Sequence, residues 1–213
     1  WKYKGEWERM SERVGYWAHM AHPSITYDDK YTESVWWALK EIWKKGLLYK
    51  GHKIVPYCPR CGTALSSHEV AQGYKDVKET SVFVRFKRKG MENAYFLAWT
   101  TTPWTLPSNV ALCVNAEEDY AEIETDGARY VLAQALVPSL FEEGTYTTLS
   151  VKKGSEYERC EYEPLFPYAE GSYREQAHYV VCDGYVTLTD GTGIVHIAPA
   201  FGEDDYRVGQ KYG

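Results

Sequence analysis

The chain has 213 residues, of which 44% are hydrophobic and 15% aromatic, and its formal net charge is −6. This length suits one large domain, or one domain with a smaller appendage, and the composition excludes a disordered chain. No apolar run approaches the roughly 20 residues that cross a bilayer, and the negative charge argues against a broad grip on a phosphate backbone.

The N-terminal part of the chain predicts two helices. Residues 6–17 carry apolar side chains at three- and four-residue spacing, which is typical of a helix with one buried stripe. A second helix is predicted after Asp28 and Asp29 and ends at Gly46, with acidic residues near its start and lysines at its end, as the helix dipole favours. The side chains expected in the core are Trp7, Met10, Val14 and Trp17 of the first helix and Val35, Leu39, Ile42 and Trp43 of the second.

From about residue 47 onward the pattern changes to short extended runs separated by Gly, Asp, Asn or Pro. Strands are predicted at 53–57, 81–86, 95–100, 110–114, 120–123, 129–132, 178–181 and 193–197, with a helical segment at 134–142. Many short strands with turns between them favour a barrel or closed sandwich. A charged stretch at 73–79 suggests a boundary between a helical arm at 1–78, which includes a C-x-x-C turn, and a strand-rich domain at 79–213.

The first motif with chemical potential is W-T-T-T-P-W-T-L-P-S-N at 99–109. It follows an apolar run, and its two prolines prevent that strand from continuing. Clustered hydroxyls beside an indole on a stiff turn form a pocket wall that can hold a carbonyl oxygen, ribose hydroxyls and a water at fixed positions. Taken alone, the threonines fit a continuing strand equally well.

The second motif is G-T-G-I-V-H-I-A-P-A-F-G-E-D-D at 191–205. A strand ends at His196, a proline turn follows, and a helix rich in carboxylates begins. Acidic residues at a helix start are usually dipole partners, but this turn can also bring Asp205 back toward His196. A carboxylate in that place can pair with an ammonium group, and the imidazole can shape the pocket or bond a reacting group.

With two further segments, these motifs resemble the editing domain of the isoleucyl-tRNA synthetases, which are class I aminoacyl-tRNA synthetases. The further segments are Y-T-E-S-V-W-W at 31–37 and V-P-Y-C-P-R-C-G-T-A-L-S-S-H-E-V at 55–70. The resemblance covers essentially the whole chain. Related valine and leucine editing domains carry T-T-R-P in the first motif and lack the histidine of the second. The resemblance implies a mixed α/β, mainly β fold, namely an editing β-barrel with flanking helices after a helical arm with a cysteine-pair turn.

The resemblance also implies a proofreading deacylase that hydrolyses misacylated Val-tRNA(Ile), with valyl-adenylate open as a second substrate. The residues implied in catalysis are Thr101, Thr102, His196 and Asp205, and those implied in substrate binding are Thr100, Trp104, Thr105 and Asn109. The three consecutive threonines would contact the terminal adenosine, the ester and the attacking water. His196 would limit the side chain to the size of valine, and Asp205 would hold the α-ammonium group.

The implied partners are the 3′ end of tRNA(Ile) carrying valine and the rest of a parent isoleucine–tRNA ligase. No membrane partner is expected, and five cysteines with a C-x-x-C pair favour a reducing cytoplasm. Editing needs no cofactor. Cys58 and Cys61 supply half of a tetrahedral zinc site, which needs four ligands, so zinc is expected only with ligands from outside this chain.

The activation signatures H-I-G-H and K-M-S-K-S are absent, so this chain is not expected to make an aminoacyl-adenylate. The first residues include no initiator Met and no apolar signal, and the family pattern continues past Gly213. The chain is therefore expected to be a piece of a longer protein, with a barrel that is incomplete at its C-terminal end.

Two other interpretations stay open. One is an editing domain of the valine enzyme acting on Thr-tRNA(Val), which a lysine in place of His196 would have supported. The other is a non-catalytic tRNA-binding module that uses the aromatic arm and the cysteine pair, which the net charge of −6 disfavours. A deacylation assay separates these interpretations.

Overall fold

The computed structural model describes residues 2–168 and 176–213. The chain divides into two compact units, residues 1–53 and 54–213. The second unit includes the cysteine pair, whereas the sequence groups that pair with the helical arm at 1–78; this boundary stays a prediction. In the described residues, no helix is both long enough and apolar enough to cross a bilayer.

The first unit contains two helices, α1 (Lys4–Arg13) and α2 (Asp29–Lys44). The first helix ends earlier than the predicted residue 17, because Gly15 takes a φ of 78°, a left-handed conformation that glycine adopts readily and that commonly ends helices. Neither helix has a buried residue, and Trp7 and Trp43 are more than 60% exposed. The prediction that these apolar stripes are core is therefore wrong in this chain, since spacing shows which side is apolar but burial needs a second element to pack against it.

The second unit begins with a small hairpin and a short helix. Strands β1 (Tyr57–Cys58) and β2 (Thr63–Ala64) pair antiparallel, and helix α3 (Ser67–Ala71) follows. Ser66 and Glu69 bond each other's backbone N–H groups and cap this helix. The strand predicted at 53–57 is wrong except for Tyr57, in keeping with Pro56, which has no N–H to give to a ladder.

The remaining strands form two larger sheets. They are, in chain order, β3 (Val82–Lys87), β4 (Ala94–Thr100), β5 (Ala111–Val114), β6 (Asp119–Thr125), β7 (Ala128–Ala133), β8 (Thr147–Lys153), β9 (Tyr179–Cys182) and β10 (Val195–Ile197). The larger sheet has the order β3-β4-β7-β6-β8, and the smaller has the order β10-β5-β9. Helices α4 (Val137–Leu140) and α5 (Glu203–Tyr212) and a 3₁₀ helix at Pro103–Ser108 complete the elements that matter for the site.

The two larger sheets are joined at a fork between β4 and β7. These strands pair in parallel only through residues 94–96 and 129–131, and beyond that point residues 192–194, the wedge segment, lie between them. The N–H of Ala133 donates to the carbonyl of Thr192 at 2.8 Å, and the N–H of Trp99 donates to the carbonyl of Ile194 at 3.4 Å. The buried hydroxyl of Tyr120 donates to the carbonyl of Gly193 at 2.6 Å. The wedge segment thus fixes the start of β10 against the larger sheet.

The predicted mixed, sheet-rich fold is confirmed. The strand pairings in the described ranges form separate sheets and not one closed ring, so closure into a barrel stays a prediction. The core lies between the sheets and is rich in aromatic side chains, with Phe86, Phe96, Tyr120, Tyr157 and Tyr162 packed together.

Candidate functional site

Two turns that are distant in sequence face one cavity of about 290 Å³. The first turn leaves β4 and runs through the 3₁₀ helix Pro103–Ser108, and the second leads from β10 into α5. Six of the residues predicted for the site line this cavity: Thr100, Thr101, Thr102, Thr105, His196 and Asp205. The structure therefore brings the hydroxyl groups, the imidazole and the carboxylate to one place.

The threonine turn is held by its own side chains. The backbone N–H of Thr102 donates to Oγ1 of Thr100 at 3.0 Å, and the two hydroxyl oxygens lie 3.3 Å apart. The hydroxyl of Thr105 donates to the carbonyl of Thr102 at 2.9 Å. Pro103 at the start of the 3₁₀ helix removes further backbone freedom. The turn thus presents its hydroxyl groups on a stiff frame, with Thr101 and Thr102 exposed.

His196 lies at the centre of β10, opposite Leu112 of β5. The ring is 6% exposed, and its Nε2 lies 3.0 Å from Oγ1 of Thr105. Burial lowers the pKa of His196 below its ordinary value of about 6.5. The imidazole is therefore neutral at pH 7.

Asp205 lies in the first turn of α5, where the helix dipole favours a negative charge. Its Oδ2 accepts a hydrogen bond from the backbone N–H of Ala198 at 2.9 Å. Burial raises the pKa of this carboxyl group, and the bond from Ala198 offsets part of that change. The carboxylate is half-buried beside Gly202, where a Cβ atom would lie 2.9 Å from Cγ of Asp205.

The structure does not bring Trp104 and Asn109 into the cavity. Trp104 is 70% exposed on the outer side of the 3₁₀ helix. Asn109 is buried in the protein, where its amide donates to the carbonyl of Ala111 at 2.8 Å and its Oδ1 accepts from the hydroxyl of Tyr162 at 2.6 Å. Asn109 therefore ties the end of the threonine turn to the core.

Four residues that the sequence did not single out also line the cavity: Trp99, Val195, Phe201 and Gly202. All four lie inside the two motifs. Gly191 allows the indole of Trp99 to lie close, because a Cβ atom at this glycine would be 2.7 Å from the ring. The available signals were the position of Trp99 just before the threonines and of Gly202 just before the acidic helix start.

Comparison with known proteins identifies the family of this chain. The family model described as tRNA synthetases class I (I, L, M and V) matches residues 1–184 of the chain. The chain belongs to the class I tRNA synthetase family. Because the match covers both the first motif and most of the strands, the threonine turn lies inside the family's own pattern.

Relatives within the class I tRNA synthetases are similar along nearly the whole chain. Isoleucine–tRNA ligase of Clostridium acetobutylicum is 61% identical over 210 residues, which are 99% of this chain and 20% of the relative. The corresponding protein of Picrophilus torridus is 52% identical over 211 residues, again 99% of this chain and 20% of the relative. The chain thus spans about one fifth of the length of the curated relatives that it matches.

The solved structure of GlLeuRS-CP1 has a similar fold. It superimposes with a TM-score of 0.51 at 17% sequence identity, covering 63% of this chain and 65% of that chain. At this identity the likeness concerns the fold alone, and it agrees with the mixed, sheet-rich architecture of this class I synthetase chain.

The cysteine pair of this class I synthetase chain is not among the residues that line the cavity. The backbone N–H of Cys61 donates to Sγ of Cys58 at 3.3 Å and lowers the pKa of that thiol. No cluster of three or more His, Cys, Asp or Glu suited to a metal occurs in the part of the chain that the structure describes. Two thiols fit half of a tetrahedral zinc site, so zinc binding at this pair would need two more ligands.

Proposed function

We propose that this chain is the editing part of an isoleucine–tRNA ligase and that it hydrolyses valine from misacylated Val-tRNA(Ile). The observation that carries the proposal is the single cavity lined by the hydroxyls of Thr100 and Thr102, the imidazole of His196 and the carboxylate of Asp205. The identity of 50–61% to isoleucine–tRNA ligases supports it, as does the fold shared with GlLeuRS-CP1.

The chemistry needs positioning more than a strong base. An aminoacyl ester is already activated, so a fixed water and a stabilised oxyanion are the main requirements. The hydroxyl groups of Thr101 and Thr102 are exposed at the cavity and can orient the ester and the water. Asp205 is the group that holds the α-ammonium, because it is the carboxylate that lines the cavity.

The size filter rests on His196. A pocket that binds isoleucine rejects valine weakly, because one methylene is worth about 1–3 kcal/mol, a limit for which the isoleucine enzymes are the usual example. A second pocket that excludes the larger side chain removes valine after attachment. The buried ring of His196 forms one wall of the cavity and sets the size of side chain that fits.

The proposal extends to partners and location. The substrate is the single-stranded 3′ end of tRNA(Ile), which a chain with net charge −6 can hold locally without a broad basic surface. The rest of the synthetase delivers that end, and the enzyme works in the cytoplasm. The editing reaction uses no cofactor, and zinc at Cys58 and Cys61 would have a structural role completed by ligands from elsewhere in the parent protein.

The test measures release of the amino acid from Val-tRNA(Ile), Ile-tRNA(Ile) and Thr-tRNA(Val) by the unsubstituted chain, Asp205→Asn and Asp204→Asn. Asp205→Asn keeps the acceptor for the N–H of Ala198 but removes the charge. Loss of a charge-assisted bond to the ammonium group should slow valine release about 10- to 100-fold. Asp204 is the matched control, because it is exposed, pairs with Arg207 and does not line the cavity.

The outcomes are separable. Release of isoleucine at the rate of valine would contradict the size filter. Preferential release of threonine from Thr-tRNA(Val) would favour the valine-type interpretation. Binding of tRNA without release of any amino acid would favour a non-catalytic module.

A further inference from the structure

The hydroxyl of Thr105 makes two hydrogen bonds inside the protein. Its Oγ1 lies 2.9 Å from the carbonyl oxygen of Thr102 and 3.0 Å from Nε2 of His196. A carbonyl oxygen has no hydrogen to give, so the single hydroxyl proton is donated to Thr102. Oγ1 then serves as acceptor toward His196. This arrangement requires a proton on Nε2.

The other ring nitrogen of His196 is in a different situation. Its Nδ1 is buried and has no hydrogen-bond partner within residues 2–168 and 176–213. The nearby carboxylate of Asp205 is bonded to the backbone of Ala198. On the paired strand β5 the residue opposite His196 is Leu112, whose side chain has no group that can accept a hydrogen bond from the ring. A proton on Nδ1 would therefore be an unpaired buried donor, which costs free energy.

We propose that Thr105 is a positioning residue that fixes His196 as the neutral Nε2–H tautomer and holds its ring at one angle. The line of hydrogen bonds runs from His196 through Thr105 to the backbone of Thr102 and joins two turns whose residues are 91 positions apart. The threonine turn and the histidine strand are thereby set relative to each other by a directional contact as well as by packing.

The tautomer assignment gives His196 a definite role in the proposed hydrolysis. That role rests on the proposed function. Nε2 is committed to Thr105 and Nδ1 is buried, so neither nitrogen is available to exchange a proton with a ligand. The ring meets the cavity as an uncharged wall of fixed shape. The hydroxyl of Thr105 acts through that ring, because both of its hydrogen bonds are made within the protein.

The first test is spectroscopic and needs no activity. In protein labelled with ¹⁵N-histidine, the protonated and unprotonated ring nitrogens of neutral histidine have well-separated chemical shifts, and His196→Gln identifies the signals of this ring among the six histidines. We expect Nε2 to be protonated in the unsubstituted chain and in Thr105→Ser, which keeps the hydroxyl. In Thr105→Val, which has the same shape without the hydroxyl, the ratio of the two tautomers should shift toward Nδ1–H by about fivefold, the equivalent of one ordinary hydrogen bond. A proton on Nδ1 in the unsubstituted chain, or an unchanged ratio in a folded Thr105→Val, would overturn the proposal.

The second test measures discrimination. The ratio of valine release to isoleucine release should fall in Thr105→Val and recover in Thr105→Ser, because the wall is no longer held at one angle without the hydroxyl. An unchanged ratio in Thr105→Val would refute the link between the tautomer and the size filter. If the chain releases no amino acid while the spectra show Nε2–H, the proposed function fails and the tautomer assignment stands, so the two failures are distinguishable.

Discussion

Substituting Gly202 with alanine should disturb the carboxylate of Asp205 with little effect on the backbone. Gly202 has φ −138° and ψ 140°, an extended conformation that alanine adopts without strain. The new Cβ atom would lie 2.9 Å from Cγ of Asp205 and 3.1 and 3.2 Å from its two oxygens. The carboxylate must move, and the 2.9 Å bond from the N–H of Ala198 to Oδ2 then lengthens beyond the usual range.

The magnitude follows from that bond and from the cap. A hydrogen bond to a charged group is worth about 1.5–3 kcal/mol, and Asp205 is only half-buried, so about 1–2 kcal/mol is expected. Gly202 is also the N-cap of α5, a position where alanine is poorer than glycine by about 0.5–1 kcal/mol. The free energy of unfolding should therefore fall by about 1.5–3 kcal/mol, and valine release should slow.

Urea denaturation followed by circular dichroism measures the loss in the free energy of unfolding, provided that the slope of this free energy against urea concentration is the same in both chains. Gly184→Ala is the matched control, because its Cβ atom would meet nothing within 4 Å. Gly202→Ser improves the cap but adds the same Cβ atom, so it should slow valine release as alanine does. If Gly202→Ala has the same free energy of unfolding and the same rate of valine release as the unsubstituted chain, steric contact with Asp205 is not the reason for glycine at this position. The same conclusion follows if Gly184→Ala loses as much free energy of unfolding as Gly202→Ala.

Three further outcomes are expected. Tyr162→Phe should lower the free energy of unfolding by about 1–3 kcal/mol, because it leaves the buried Oδ1 of Asn109 without its donor. Tyr185→Phe should not lower it, since the buried hydroxyl of Tyr185 has no hydrogen-bond partner in the described ranges. Equal losses for the two variants in a denaturation series would contradict this prediction. Burial raises the pKa of Asp205, so the folded chain holds a proton on this group more tightly than the unfolded chain does. The free energy of unfolding should therefore fall, relative to Asp205→Asn, as pH rises from the unfolded pKa near 4 through the folded value. A constant difference in the free energy of unfolding between the two chains from about pH 3 to 7 would be the contrary result. Burial lowers the pKa of His196, so stability should fall as pH drops below about 6.5 and fall less in His196→Gln, as thermal unfolding at several pH values can show.

The strand pattern could be predicted well where short apolar runs alternate with turn residues. The seven strands predicted between 81 and 197 appear within about two residues of their predicted bounds. Strand β8, Thr147–Lys153, was missed, because it lies at the edge of its sheet and is mostly exposed, so its sequence carries hydroxyl groups and lysines with little apolar alternation.

The site could be predicted in part, because each motif marks a turn but not which way each side chain points. Thr102 and Thr105 lie on one side, since residues three apart are eclipsed in a 3₁₀ helix, whereas Trp104 between them turns outward to solvent. Asn109 comes at the end of that helix, where the start of β5 turns it into the core. These directions depend on the helix type and on the packing of the next strand, and neither is visible in the motif.

The fork between β4 and β7 makes the shape of the cavity depend on residues in the protein interior. The wedge segment fits there because Gly193 has no side chain, and a Cβ atom at this position would lie 2.5 Å from Cβ of Ala133. A larger residue at Ala133 would press on the wedge segment, which leads directly into the strand that carries His196. Under the proposed function, tolerance for a bulkier amino acid can therefore evolve through small interior residues that do not line the cavity, and selection for such variants should recover changes at 133 alongside changes in the cavity wall.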